Sequence, residues 1–257
     1  MTIMIPFSYS PSAILTYKYC PRKFQLKYIE KLSSRNKSKV MLDGITLHNY
    51  FELFYKEMPP IEEVTEEYFE EYRKKLPNYI KENFRVDIDN FLNFNYKLFS
   101  STEKKFFKPL AVELKIKDED LNFVGIIDCV FTDGKNILIL DFKTGKAKDK
   151  IPEDYLFQLS AYIHLWNLHC PSQPITHIGL LYTKSSDTPV IIKVEKLHLD
   201  NMFKTIYEVK DKINNQIFPR TEKKYICQRC EMAEHCFTLE DLEKLQSEEI
   251  DENDILV

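Results

Sequence analysis

Gly125-Ile126-Ile127-Asp128, followed by Ile137-Leu138-Ile139-Leu140-Asp141-Phe142-Lys143-Thr144-Gly145, reads as two β-strands with apolar residues on both faces. Asp133-Gly134 between them is a two-residue hairpin signal, which pairs Thr132 with Lys135 and Asp128 with Ile139. Asp141 is then the diagonal neighbour of Asp128 on one face, and Lys143 points to that face too. Two carboxylates and an ammonium on buried strands cost stability unless something compensates, and a divalent cation is the natural neutraliser. Hard oxygen ligands with open water positions suit Mg²⁺ or Mn²⁺ rather than zinc. Such an ion activates water and stabilises a phosphodiester transition state, while a nearby lysine orients the water or meets developing negative charge. A hairpin whose charges simply face solvent stays open on these residues alone.

Outward from this hairpin, Leu110–Lys117, Asn122–Phe131 and Asn136–Lys143 have the alternating or β-branched pattern of strands, as do Thr176–Thr183 and Val190–Val194. Glu153–His169 and His198–Gln216 have helical spacing. Ahead of the strands the chain is helical. Ser10-Pro11 caps and starts a helix to Tyr19, Cys20-Pro21 breaks it, and a second helix covers Arg22–Lys31. Val40–Glu57 is an amphipathic helix containing His48, and Glu62–Glu82 and Val86–Phe106 follow, with Pro77 breaking or kinking the former. A helical front leading into a mixed sheet flanked by helices is an α/β or α+β fold.

The 257 residues carry a formal charge of −4, a weak sign of nucleic-acid binding taken at face value. The stretch 238–257 holds −7 of it, so the remaining chain stands at +3 and a basic groove is not excluded. Only 5 glycines argue against a Gly-rich phosphate loop. No apolar run reaches membrane length and no signal-peptide pattern opens the chain, so the expected location is cytoplasmic, with no membrane partner. There, clustered cysteines hold metal more often than disulfides. Cys227, Cys230 and Cys236 form C-x2-C-x5-C and need a fourth ligand; His235 is a strained neighbour, and Cys20 is the better candidate. Cys129 and Cys170 lie in apolar surroundings and read as core residues. Lys104, Lys105 and Lys108 with Phe106 and Phe107 suit either contact with a nucleic-acid strand or a solvated helix end.

Gly-Ile-Ile-Asp128, Asp141-Phe-Lys143-Thr-Gly and Gln158-x-x-x-Tyr162 resemble the motif series of RecB-type nucleases in the PD-(D/E)xK superfamily, which have a restriction-endonuclease-like sheet. The resemblance implies that Asp128 and Asp141 bind metal, that Lys143 supports catalysis and that the Phe142 carbonyl is a further ligand. It makes Glu113 an additional acidic position and His48, on an N-terminal helix, a metal ligand. Gln158 and Tyr162, one helical turn apart, then line the DNA side of the site. Tyr19-Cys20-Pro21-Arg22-Lys23-Phe24 resembles the first half of the split cluster motif of CRISPR-associated exonucleases and of their AddB and replication-helicase relatives. That implies a [4Fe–4S] cluster on Cys20, Cys227, Cys230 and Cys236, with zinc as the second choice. It would close a loop of about 200 residues and clamp the N-terminal helices against the core.

The resemblance covers Ser10 to Cys236. The expected organisation is one nuclease domain over 1–237: a helical part at 10–108, a core at 109–217, and a cluster segment at 225–237 together with Cys20. An acidic tail, 238–257, follows. The expected activity is a single-strand DNA exonuclease, with endonuclease cutting as a second mode. Its setting would be CRISPR adaptation and antiviral defence, or DNA repair, alongside other DNA-processing proteins. Two other classes compete. A non-catalytic DNA-binding or assembly subunit is disfavoured because the acid–acid–lysine set is present. A zinc-stabilised protein-interaction module predicts bound zinc and no DNA affinity.

Overall fold

Ser10 and Pro11 open the first helix as their chemistry requires: Ser10 Oγ accepts from the Ala13 amide and Pro11 occupies the first turn. In a computed structural model, which describes residues 8–34, 39–148 and 150–247, that helix is α1 (Pro11–Tyr19), followed by α2 (Pro21–Phe24). The helix expected over Arg22–Lys31 is shorter: beyond Phe24 the chain widens into a π-type turn at Gln25–Ile29, and Lys31 ends it with a left-handed φ of 55°. The expected His48 helix is α3 (Lys39–Lys56). Pro77 divides the next stretch into α4 (Glu66–Lys75) and α5 (Asn78–Asn83). α6 (Arg85–Ser101) stops short of Phe106 because Thr102 turns extended, leaving a separate turn, α7 (Lys104–Phe107).

The strands follow: β1 (Ala111–Asp118), β2 (Phe123–Thr132) and β3 (Ile137–Lys143), then α8 (Glu153–His169), β4 (His177–Tyr182) and β5 (Val190–Lys193). They form one five-stranded sheet in sequence order. β3 and β4 run parallel, joined across α8, and the other pairs are antiparallel. This mixed sheet with flanking helices is the expected restriction-endonuclease-like α/β fold. The chain continues through α9 (Lys196–Asn214), α10 (Lys224–Gln228) and α11 (Leu239–Ser247). The acidic stretch therefore begins as a helix, and its last residues, 248–257, lie outside the described residues. Among the described residues no helix is long and apolar enough to cross a membrane.

The β2–β3 register departs from the two-residue hairpin. Thr132 pairs with Ile137, Val130 with Ile139 and Cys129 with Leu140, so Asp133–Asn136 form a four-residue loop. Asp133 is the cause: its carboxylate accepts from the amides of Lys135 and Asn136, and Thr132 Oγ1 accepts from the Gly134 amide. The slip is two residues, a full strand period, so the side chains keep their faces while Asp128 moves from a diagonal to directly across from Asp141.

The chain divides into two compact units, Val40–Met202 and Met1–Lys39 with Phe203–Val257. The first has an aromatic core that accounts for the helical stretch ahead of the sheet. Phe51 stacks on Phe91 with ring centres 4.2 Å apart, and both meet Phe142 edge-on at 5.2 and 5.4 Å. Phe107 is fully buried in this core, and the half-buried Phe106 lies against Gly134. Lys104 donates to the Val64 carbonyl and Lys105 pairs with Glu103, the helix-end reading of the same residues.

In that unit β1 ends on a buried carboxylate, Asp118, which accepts from the Leu121 amide at 2.9 Å and meets His164 Nε2 at 2.6 Å. Burial pushes this carboxyl up, but the Leu121 amide and His164 outweigh it and hold it below the usual range. A depressed carboxylate contributes stability above its unfolded pKa that is lost as pH falls through the folded one. Asp118→Ala is therefore expected to cost about 1–3 kcal/mol near neutral pH and less at pH 3, read from urea midpoints at both pH values. An equal cost at both would show that the carboxylate charge is not what stabilises.

In the other unit, α1 and α2 lie with the chain beyond α9: the Tyr17 hydroxyl donates to the Ile217 carbonyl, the Arg22 amide donates to that of Pro219, and Phe24 stacks on Phe218.

Candidate active site

Alternation along β3 separates its residues. Phe142 points into the aromatic core, which fixes the strand, while Asp141 and Lys143 take the other side. The β2–β3 ladder ends at Cys129↔Leu140; one position further, Asp128 Oδ2 accepts from the Phe142 amide at 2.8 Å, so a carboxylate replaces the next ladder carbonyl. Across β1, Glu113 falls in register with Asp128 but has a φ of 45°, a left-handed backbone inside a strand. That conformation costs a non-glycine residue about 1–2 kcal/mol and is tolerated where the surroundings demand it.

α3 supplies the fourth group. Its buried Leu47 and Phe51 seat it in the core, and His48 between them reaches the carboxylates. His48 Nε2 donates to the Phe142 carbonyl at 3.0 Å, which leaves Nδ1 3.4 Å from Asp128 Oδ2 and 3.7 Å from Glu113 Oε1. Ligand atoms of His48, Glu113 and Asp128 all lie within 4.8 Å of one another. The electrostatics of this group favour positive charge. Burial opposes protonation of His48, but Glu113, Asp128 and Asp141 together push its pKa to about 9. Burial, with Asp141 adding, pushes Asp128 up to about 8. A carboxylate set of this kind fits a hard divalent cation. Side chains of His48, Glu113, Asp128 and Asp141 and the Phe142 carbonyl offer donors of the right kind.

Lys143 closes the other side. Its ammonium lies 2.7 Å from Asp141 Oδ2, an ion-pair contact rather than a directed hydrogen bond, and donates to Gln158 Oε1 at 3.0 Å. Burial would lower the pKa of this lysine, yet Asp141 outweighs it and holds the ammonium charged. Gln158 Nε2 in turn donates to the Tyr162 hydroxyl at 2.7 Å. The nuclease-motif residues expected from sequence thus come together: His48, Glu113, Asp128, Asp141, Phe142 and Lys143, with Gln158 and Tyr162 on α8.

Tyr155, also on α8, was not expected. Its ring centre lies 4.4 Å from the Lys143 ammonium. The signal that could have found it was its place one turn ahead of Gln158 on the same helical stripe. Gly125 has a local reason as well. A Cβ there would stand 2.6 Å from Leu165 Cδ1 and 3.0 Å from the Tyr162 ring. Gly125→Ala is expected to cost about 1–3 kcal/mol by overpacking and to lower activity by moving Tyr162. Urea unfolding and a cleavage assay on one preparation check both, and unchanged values in both would overturn the packing argument.

The four cysteines line a second site, in the unit formed by the chain ends. Cys20, Cys227, Cys230 and Cys236, with Lys23, Arg220 and Phe237, line one pocket. The Lys23 amide donates to Cys20 Sγ and the Met232 amide to Cys230 Sγ, each at 3.4 Å. Burial, with neighbouring thiols adding, pushes Cys227, Cys230 and Cys236 up. Among the described residues only His48, Glu113 and Asp128 bring three such ligand atoms within 4.8 Å, so no three of these sulfurs do. Cys129 is buried and Cys170 partly exposed.

The sequence model of the PD-(D/E)XK nuclease superfamily matches residues 8–237 of the chain. No curated protein matches it in sequence. Among solved structures it is similar to a crystal structure from Eubacterium rectale that carries the provisional name of an exonuclease. The two share 13% identity with a TM-score of 0.49, over 96% of this chain and 92% of that one.

Proposed function

We propose, for a chain that belongs to the PD-(D/E)XK nuclease superfamily, a divalent-metal-dependent deoxyribonuclease that degrades single-stranded DNA from an end, with internal cutting as a second mode. The observation that carries this reading is the meeting of His48, Glu113 and Asp128 within 4.8 Å, beside an Asp141–Lys143 ion pair of 2.7 Å. His48, Glu113, Asp128, Asp141 and the Phe142 carbonyl would hold Mg²⁺ or Mn²⁺. The ion supplies Lewis-acid activation of water and charge stabilisation at phosphorus.

The chain's own residues do the rest. Lys143, held charged by Asp141, presents N–H groups to a phosphate oxygen as negative charge grows there. Gln158 bridges Lys143 to the buried Tyr162, so one string of hydrogen bonds fixes the lysine. His48, anchored through Nε2 to the Phe142 carbonyl, keeps its ring against the carboxylates.

The cysteine site supports the RecB-like, CRISPR-associated reading with a [4Fe–4S] cluster. Two of the sulfurs accept backbone N–H bonds of the kind that tune such clusters. Lys23 and Arg220 beside the pocket offset part of the negative charge of four thiolates. The corresponding role is trimming DNA during CRISPR spacer acquisition or recombinational repair.

End-labelled single-stranded DNA incubated with Mn²⁺ or Mg²⁺ and anaerobically purified protein tests the activity. A ladder shortening from one end is expected. A folded, metal-loaded protein that binds the strand without cutting it would replace this reading with that of a binding subunit.

A further inference from the structure

Lys143 is held by three groups, and a divalent cation would compete for one of them. Its ammonium touches Asp141 Oδ2 at 2.7 Å, Gln158 Oε1 at 3.0 Å and the face of the Tyr155 ring, 4.4 Å from its centre. Asp141 also belongs to the proposed cation's donor set, and a carboxylate shared with a divalent cation attracts an ammonium less. What remains is one neutral amide and one aromatic face. The side chain of Lys143 is only 16% exposed, so water is poorly placed to take over. Its register partner on β4, Tyr182, adds no anchor, because that hydroxyl is buried without a hydrogen-bond partner among the described residues.

The negative face of an aromatic ring attracts an ammonium most strongly where water is scarce. Tyr155 is also built into the site's own stripe: Tyr155, Gln158 and Tyr162 follow at one-turn intervals along α8. We propose that Tyr155 is a positioning residue for Lys143. Its ring keeps the ammonium at the site when Asp141 engages the cation, and so governs turnover rather than affinity for DNA. The effect on rate rests on the nuclease reading above; the contact with Lys143 does not.

Two substitutions separate the ring from the bulk: Tyr155→Phe keeps the aromatic face and Tyr155→Leu removes it. With Mn²⁺ and DNA saturating, kcat is expected to fall roughly tenfold in Tyr155→Leu and to recover to within about threefold of wild type in Tyr155→Phe. The Kd for the same DNA, measured in Ca²⁺, stays unchanged in both. Equal losses in the two variants, full activity in Tyr155→Leu, or a loss carried by Kd would overturn the proposal. A double-mutant cycle of urea unfolding on metal-free protein, pairing Tyr155→Leu with Lys143→Met, is expected to be non-additive. Additive effects would remove the contact itself. A wild type that does not cleave sinks the nuclease reading alone, and the cycle still decides whether Tyr155 holds Lys143.

Discussion

Asp128→Asn and Asp141→Asn are each expected to lower DNA cleavage about a thousandfold or more, while changing stability in opposite directions. The activity loss follows from chemistry: an amide keeps the shape of the carboxylate but not the charge that holds a hard cation. The stability signs follow from the neighbours. Asp128 is buried, and burial with Asp141 beside it pushes its carboxyl up to about 8, so its ionised form is disfavoured where it stands. An asparagine there still accepts from the Phe142 amide and removes a repelling charge, so metal-free Asp128→Asn should match or exceed wild-type stability. Asp141 has the opposite balance, because its carboxylate neutralises a nearly buried ammonium at 2.7 Å. Asp141→Asn leaves Lys143 without its counter-ion and should cost about 1–3 kcal/mol. Urea unfolding in a chelating buffer, beside a cleavage assay with Mn²⁺, reads both quantities. Wild-type cleavage by both variants would remove the proposed metal site, and a strongly destabilised Asp128→Asn would contradict the account of its charge.

The face shared by Asp128, Asp141 and Lys143 was legible because strand side chains alternate with period two, and a slip of two residues cannot change a face. The register itself was not legible from Asp133-Gly134 alone. The competing signal was local: Asp133 caps the amides of Lys135 and Asn136, and that turn chemistry lengthens the loop. The backbone of Glu113 lay beyond sequence reasoning for a different reason. No residue type marks a left-handed conformation on a glutamate, and it is tertiary context that aims this side chain at His48. Composition alone did not separate Phe106 from Phe107, where lysines beside aromatics suit both a strand-contacting surface and a helix end. The alternation of core and surface is decided there by the fully buried Phe107. The cysteine spacing could be read directly, but Cys20 stands about 200 residues away, and loop closure on that scale leaves no local trace. Its membership of the set came from resemblance, and the structure lines one pocket with all four.

On the [4Fe–4S] proposal, Cys20→Ser is expected to abolish the visible absorbance of the anaerobically purified protein, to reduce bound iron from four per chain to near zero, and to destabilise the unit formed by the two chain ends. The thiols of Cys227, Cys230 and Cys236 are pushed up by burial, so without iron they stay protonated and hold nothing together. With iron, Cys20 ties residues near the start of the chain to a segment near its end. On the loop-closure estimate such a link is worth about 5 kcal/mol, and serine, a poor ligand for soft iron, forfeits it. A drop of this size should appear as a separate early melting transition, because His48, Asp128, Asp141 and Lys143 belong to the other compact unit. Iron analysis and absorbance read the ligand role, and the melting profile reads the mechanical one. One zinc per chain in a colourless wild type would overturn the cluster and assign the pocket to a single tetrahedral ion.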